Sequence, residues 1–256
     1  MKACLVLDYS EKLCEKQKKV FEVLVCPIIS TKNINSIEEF HSDNRTVIIS
    51  GHEICRQGLI DAPDEDMCDL AICFYEILYG VEEGSIIKQP GKPKEWEYAG
   101  DTMNSFEYVT KYSSIIKKNE WNEIYHCLAN FWMIPGNIGR QTNRNSKNSG
   151  GVFSKQITVE SFNKGRRDYM DRFLCEKQHN LEEFSKGHYI DGVYIKNGVV
   201  DMFSYLEETD EDFSSKVDGI INKMMDKICE RAVAIVNDKV MCDKLFDYFY
   251  SLNLMK

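Results

Sequence analysis

The sequence lacks the features of membrane and secreted proteins. No apolar run approaches the roughly 18 residues that would indicate a membrane-spanning helix. The acidic residue Asp8 falls where a signal peptide would have its apolar core. We therefore expect a cytoplasmic protein with no membrane partner.

The sequence also lacks the common catalytic and cofactor motifs. It contains no Walker A loop, HExxH motif, nucleophile elbow or deaminase motif, and no glycine-rich loop follows the first apolar run. A classical dinucleotide site is therefore disfavoured, and no cofactor is predicted. The ten cysteines include no CxxC pair, the closest two being Cys68 and Cys73. This spacing predicts free thiols used as small core residues and no metal site.

The charge is unevenly distributed along the 256 residues. The formal net charge is −9, yet residues 140–172 carry eight Lys and Arg against three acids. A basic segment on an acidic protein predicts one surface that faces an anion. The alternative is internal pairing with acidic stretches such as Glu207–Asp212.

Apolar and β-branched runs alternate with a helical pattern near the N-terminus. Ala3–Asp8, Leu24–Ile29 and Thr46–Ser50 have the composition of strands, and Ser10 is expected to cap an amphipathic helix. This order favours a small parallel sheet. The predicted fold class is α+β (mixed): a small N-terminal βαβ-type parallel sheet followed by a mainly α-helical region with one β-hairpin.

The segment 81–100 contains Pro90, Pro93 and three glycines, which is typical of a boundary or a long loop. We predict an α/β subdomain over 1–90 and a mainly helical domain over 91–256, with the hairpin at 189–203. Asn197 and Gly198 supply a hairpin turn. A single compact domain is the alternative.

Besides a helix that starts at Asp101/Thr102 and one over Asp168–Gln178, three further helices are predicted in the second half. One spans Trp121–Met133, with Leu128 and Phe131 facing inward. Two more occupy 213–252, and Asp238 caps the second of them.

The block His126–Arg140 sets polar residues against an aromatic, apolar run. His126 precedes Asn130 by four residues, so a helix would place both on one face. These two are the candidate catalytic residues, with His126 as general base or metal ligand and Asn130 orienting it. The alternative is a buried His–Asn pair that stabilises the loop. A Cys127 nucleophile also stays open, although adjacent helical residues point about 100° apart and His126 could not activate it there.

Arginines and asparagines follow this block in a loop. Arginine offers a forked set of donors to phosphate oxygens, and asparagine can hydrogen-bond sugar or base edges. A solvated basic loop without a ligand is the alternative. The candidate ligand-binding residues are Asn104, Arg140, Asn143, Arg144, Lys147, Arg166 and Arg167.

Three blocks resemble an uncharacterised family of bacterial proteins. They are Gly100–Phe106 (GDTMNSF), Tyr125–Pro135 (YHCLANFWMIP) and Phe162–Tyr169 (FNKGRRDY). The resemblance covers about residues 100–175 and implies no activity.

A fainter similarity links Ala129–Pro135 and the asparagine-rich loop after it to HNH-type endonucleases. That similarity implies metal-dependent cleavage of nucleic acid, with a divalent metal as the cofactor. The chain departs from the pattern because it lacks the upstream Asp/Glu-His-Ile-x-Pro element.

These patterns predict an intracellular prokaryotic or phage protein that binds a phosphate-bearing ligand, either nucleic acid or a nucleotide. A nuclease-like defence effector is one form of this hypothesis. The alternative is a non-enzymatic interaction or regulatory protein whose acidic surface binds a protein partner.

Overall fold

The computed structural model describes residues 8–32, 45–49, 52–55, 69–80, 98–103, 113–135, 185–196, 199–200 and 212–255. Most of these residues are helical. The helices are α1 (Glu15–Leu24), α2 (Asp69–Tyr79), α3 (Ile115–Asn122), α4 (Phe213–Asn237) and α5 (Lys239–Ser251). The strands are β1 (Ile28–Lys32), β2 (Arg45–Ile49), β3 (His52–Cys55), β4 (Tyr98–Thr102), β5 (Phe131–Pro135), β6 (Ile195–Lys196) and β7 (Val199–Val200).

The core is built around the two C-terminal helices. Apolar residues recur along α4 at spacings of three and four, so they form one stripe on one face of the helix. That stripe is buried from Val217 to Ile235, and Leu245 and Phe249 of α5 are buried with it. The predictions of both helices, and of Asp238 as the cap of the second, are confirmed.

Helix α1 packs against this pair through its apolar face and through polar bonds at its edge. Phe21 and Leu24 are fully buried in the same apolar cluster. The Gln17 side chain donates to the backbone carbonyl of Val236 at 3.1 Å, and Lys16 pairs with Asp243. The predicted helix is present but begins at Glu15 with Cys14 at its N-cap, so the predicted cap at Ser10 is wrong.

The predicted α+β fold with an N-terminal βαβ parallel sheet is wrong. Strands β1, β2 and β3 follow one another in an antiparallel sheet, with Ile28 opposite Ile49 and Ile49 opposite His52. Leu24, taken as the start of a strand, is the last residue of α1. The error arose because an apolar run does not encode pairing direction. The described residues instead form a mainly helical structure with small antiparallel sheets.

The predicted helix Trp121–Met133 is also wrong. Helix α3 ends at Asn122, a 3-10 turn spans Leu128–Asn130, and Phe131–Pro135 forms β5. Strand β5 pairs antiparallel with β4, so that Thr102 lies opposite Phe131. The predicted helix start at Asp101/Thr102 is wrong as well, because both residues lie in β4. A short apolar run fits a buried strand as well as a helix, and here the pairing with β4 selects the strand.

The predicted hairpin is confirmed at its centre, because Ile195 pairs antiparallel with Val200 and Lys196 with Val199. Residues 189–194 of the predicted range 189–203 lie in a turn instead. The division into domains 1–90 and 91–256 stays a prediction. One apolar cluster contains α1 and α2 residues together with those of α4 and α5.

The contribution of the Asp238 cap of α5 to stability can be tested by mutation. The Asp238 carboxylate accepts from the Met241 backbone N–H at 3.1 Å and from the Tyr189 hydroxyl at 2.8 Å. We expect Asp238→Ala to lower the free energy of unfolding by about 1–2 kcal/mol, measured by urea denaturation. Asp212 is the matched control, since it stands at the N-cap of α4 without a side-chain capping bond. Asp212→Ala should cost less than about 0.5 kcal/mol.

The loss of stability in Asp238→Ala relative to wild type should depend on pH. The Met241 N–H, followed by the Tyr189 hydroxyl, lowers the pKa of Asp238. A carboxyl group with a lowered pKa stabilises the fold above its unfolded pKa of about 4, and that contribution is lost as the pH falls through the folded pKa. The difference between wild type and Asp238→Ala should therefore shrink in acid. A difference that grows below about pH 4 would contradict the assignment.

Candidate functional site

Two of the nine predicted site residues fall within the described part of the chain, His126 and Asn130. The predicted ligand-binding residues lie outside the described residues, so their positions stay predictions: Asn104, Arg140, Asn143, Arg144, Lys147, Arg166 and Arg167.

Asn130 closes the turn between α3 and β5. It is fully buried, and its side-chain amide donates to the Tyr125 carbonyl at 2.7 Å. Its backbone N–H donates to the Cys127 carbonyl at 3.0 Å, and its own carbonyl accepts from the Met103 N–H at 2.7 Å. These bonds satisfy polar groups of a buried turn, and the catalytic role predicted for Asn130 stays a prediction.

His126 lies in a non-helical turn, so the expected helical face shared with Asn130 does not exist. Its imidazole is half-buried, with its ring centroid 4.2 Å from that of Tyr125 and 6.1 Å from that of Phe131. Its backbone carbonyl accepts from the Ile28 N–H at 2.7 Å. His126 therefore joins the segment after α1 to the segment before β5. Among the described residues, no group of three or more His, Cys, Asp and Glu is placed to hold a metal ion.

The structure places an arginine of α4 directly behind this turn. Arg231 is fully buried, with a relative exposure of 0%. Its Nη1 donates to the carbonyls of Ala129 at 2.9 Å and Phe131 at 2.7 Å, and its Nε donates to the carbonyl of His188 at 3.0 Å. One guanidinium thus holds the start of β5 and the 185–194 turn on α4.

Aromatic and polar side chains surround Arg231. Burial is the main cause that lowers its pKa, and the nearby Tyr79, Tyr194 and Tyr75 oppose that shift. The ring of Tyr79 lies 4.2 Å from the ring of His188, centroid to centroid. We call Arg231, Tyr79, His188 and Tyr194 the Arg231 cluster.

The 185–194 turn is held on α4 and α5 by further side chains. Lys227, one helical turn before Arg231, donates to the Val193 carbonyl and lies 5.3 Å from the centroid of the Tyr194 ring. Tyr189, at a φ of 55°, donates its hydroxyl to Asp238 at the start of α5. This turn is therefore fixed both from α4 and from the start of α5.

Sequence reasoning missed Arg231, although a signal was present. Arg231 lies three residues after Ile228 and four before Ile235, both in the buried stripe of α4. A charged residue at an apolar position of a helical stripe indicates either a buried polar contact or a ligand site.

Arg231 should be the most sensitive position of α4. Arg231→Met removes donors to three carbonyls of buried residues, so we expect the free energy of unfolding to fall by about 3–5 kcal/mol. Lys223→Met on the same helix is the control, since Lys223 is exposed and the change should stay within about 0.5 kcal/mol. Urea denaturation followed by circular dichroism measures both. Equal losses in the two variants would contradict the role of the guanidinium.

The Cys127 thiol, an open candidate for a nucleophile, is fully buried. Burial raises its pKa to about 12. At pH 8 about one thiol in ten thousand would be ionised, and the thiolate is the nucleophile. This environment does not favour a Cys127 nucleophile.

Alkylation tests this directly, with Cys14 as the control because it is exposed. Native protein treated with iodoacetamide at about pH 8 should be alkylated at Cys14 and not at Cys127, and both should react in urea. Peptide mapping by mass spectrometry measures the two sites. Alkylation of native Cys127 as fast as that of Cys14 would show that the thiol is accessible.

Comparison with known proteins gave no match to a family model, to a curated protein or to a solved structure. Within the described ranges, no helix is both long enough and apolar enough to cross a membrane.

Proposed function

We propose that the protein binds a phosphate-bearing ligand, nucleic acid or a nucleotide, through the basic segment 137–172. The observation that carries the proposal is the excess of eight Lys and Arg over three acids within residues 140–172 of an otherwise acidic chain. Clustered cations on a chain of opposite net charge concentrate the field where an anion would bind.

The residue types support a phosphate over other anions. Five of the eight cations are arginines, namely Arg140, Arg144, Arg166, Arg167 and Arg172. The planar guanidinium matches two phosphate oxygens, whereas a lysine ammonium acts as a point charge. Asn143 and Asn145 stand among these residues, and their amides could contact sugar or base edges.

The fixed position of β5 is further support. The basic segment begins two residues after Pro135, the last residue of β5. That strand is paired with β4 and held at Phe131 by Arg231. A segment that leaves a fixed strand starts from a defined position, so it loses less conformational freedom when it binds a ligand than one that leaves a mobile strand.

The proposal is limited to binding. HNH-type cleavage needs a histidine and an upstream carboxylate in one motif, and this sequence has no such motif. The described backbone around His126 is a turn followed by a strand that pairs with β4.

Salt-dependent binding tests the proposal. Fluorescence anisotropy with labelled single-stranded DNA, single-stranded RNA, duplex DNA and ATP should show binding at about 50 mM salt that weakens steeply by about 200 mM. Arg140→Ala with Arg144→Ala should weaken binding at least about ten-fold and reduce the slope of log K against log salt by about 2, because each lost phosphate contact removes about one unit.

The control removes two positive charges elsewhere. Lys223 and Lys244 are exposed on α4 and α5, and the double alanine variant at these positions should keep the affinity within about two-fold. An equal loss in both double variants would assign the effect to net charge alone. No binding to any of the four probes at low salt would overturn the proposal and favour a protein partner.

A further inference from the structure

The guanidinium of Arg231 has more donors than the structure uses. An arginine carries five N–H groups. The single N–H of Nε donates to the His188 carbonyl, and the two N–H groups of Nη1 donate to the carbonyls of Ala129 and Phe131. The two N–H groups of Nη2 remain, and this nitrogen is buried with no hydrogen-bond acceptor among the described residues.

The charge of Arg231 also has no counterion among the described residues. In the part of the chain that the structure describes, no ion pair involves Arg231, and the groups that raise its pKa are tyrosines and a cysteine rather than carboxylates. Removing a cation from water costs several kcal/mol unless an opposite charge or a full set of hydrogen bonds replaces the hydration. Three carbonyls replace part of this hydration, and Nη2 has no hydrogen-bond acceptor among the described residues.

The occupied nitrogens restrict what Nη2 can bind. A carboxylate or phosphate usually contacts two guanidinium nitrogens at once, either Nη1 with Nη2 or Nε with Nη2. Here Nη1 is already bonded to the carbonyls of Ala129 and Phe131, so the pair Nη1 and Nη2 cannot bind such a group. Nε is already bonded to the His188 carbonyl, so the pair Nε and Nη2 cannot bind one either. Only a contact with a single atom is left.

We propose that Nη2 of Arg231 binds one small monatomic anion, chloride in solution, within the Arg231 cluster. The anion neutralises the buried cation and accepts from an N–H of Nη2. Because it is a single atom, it does not need two guanidinium nitrogens at once. This site is separate from the basic segment 137–172 and does not depend on the proposed phosphate ligand.

Thermal unfolding at constant ionic strength tests the proposal with chloride as the probe. A ligand that binds the folded state alone raises the Tm with its concentration. Replacing sodium gluconate by sodium chloride should raise the Tm by about 3 °C or more in a saturable way. Sodium sulfate at the same ionic strength should not reproduce the rise. A flat response to chloride, or a sulfate effect as large as the chloride effect, would overturn the proposal.

Arg231→Lys is the matched variant. An ammonium has three donors, which the three carbonyls can consume, so no donor is left for the anion. We expect the chloride-dependent rise in Tm to be lost in Arg231→Lys and kept in Lys223→Met. A rise that survives in Arg231→Lys would contradict the site.

Bromide gives a readout that needs no variant. Crystals of the wild-type protein grown in sodium bromide should show an anomalous difference peak within hydrogen-bond distance of Nη2. A water without anomalous signal at that point would overturn the proposal. The Arg140→Ala and Arg144→Ala double variant should keep the chloride effect, so the outcome for this site and the outcome for the proposed function are read independently.

Discussion

The described structure depends most on the bonds that Arg231 makes to backbone carbonyls. Its three acceptors lie 43, 100 and 102 residues away along the chain. Buried carbonyls must be paired, and those of Ala129 and His188 lie in turns rather than in a strand pairing. A single planar cation with five donors meets this requirement where a sheet or helix does not. One side chain therefore bonds the start of β5 to α4, in addition to the pairing of β5 with β4.

The same helix face organises the neighbouring turn. Lys227 and Arg231 are four residues apart on α4, so their side chains project from adjacent turns of one face. Each donates to a carbonyl of the 185–194 turn, and Tyr189 of that turn bonds to the cap of α5. Polar side chains on a helix that is otherwise a core element thus add to the backbone bonds within the turn, such as that from the Ile190 N–H to the Ser185 carbonyl at 2.9 Å.

The sequence predicted the elements whose signals are local. Helices α4 and α5 follow from apolar spacing and the Asp238 cap, and the hairpin follows from Asn197-Gly198 between β-branched residues. The elements that failed depend on distant partners. Phe131–Pro135 forms a strand because it pairs with β4. Strand β1 belongs to an antiparallel sheet because its partner is β2, which runs in the opposite direction. Arg231 could have been found from its place in the α4 stripe, but its acceptors could not.

The described turn from His126 to Asn130 changes the interpretation of the block His126–Arg140. The Asn130 side chain and the His126 carbonyl are used within the fold, so their presence beside Phe131 is explained without a ligand. Two kinds of cation then remain. Arginines of the basic segment would meet a phosphate in water, where salt screens the interaction over about 10 Å. Arg231 is buried, where screening is weak and the charge must be balanced locally. A response to ionic strength therefore reports on the basic segment, whereas a response to the identity of the anion reports on Arg231.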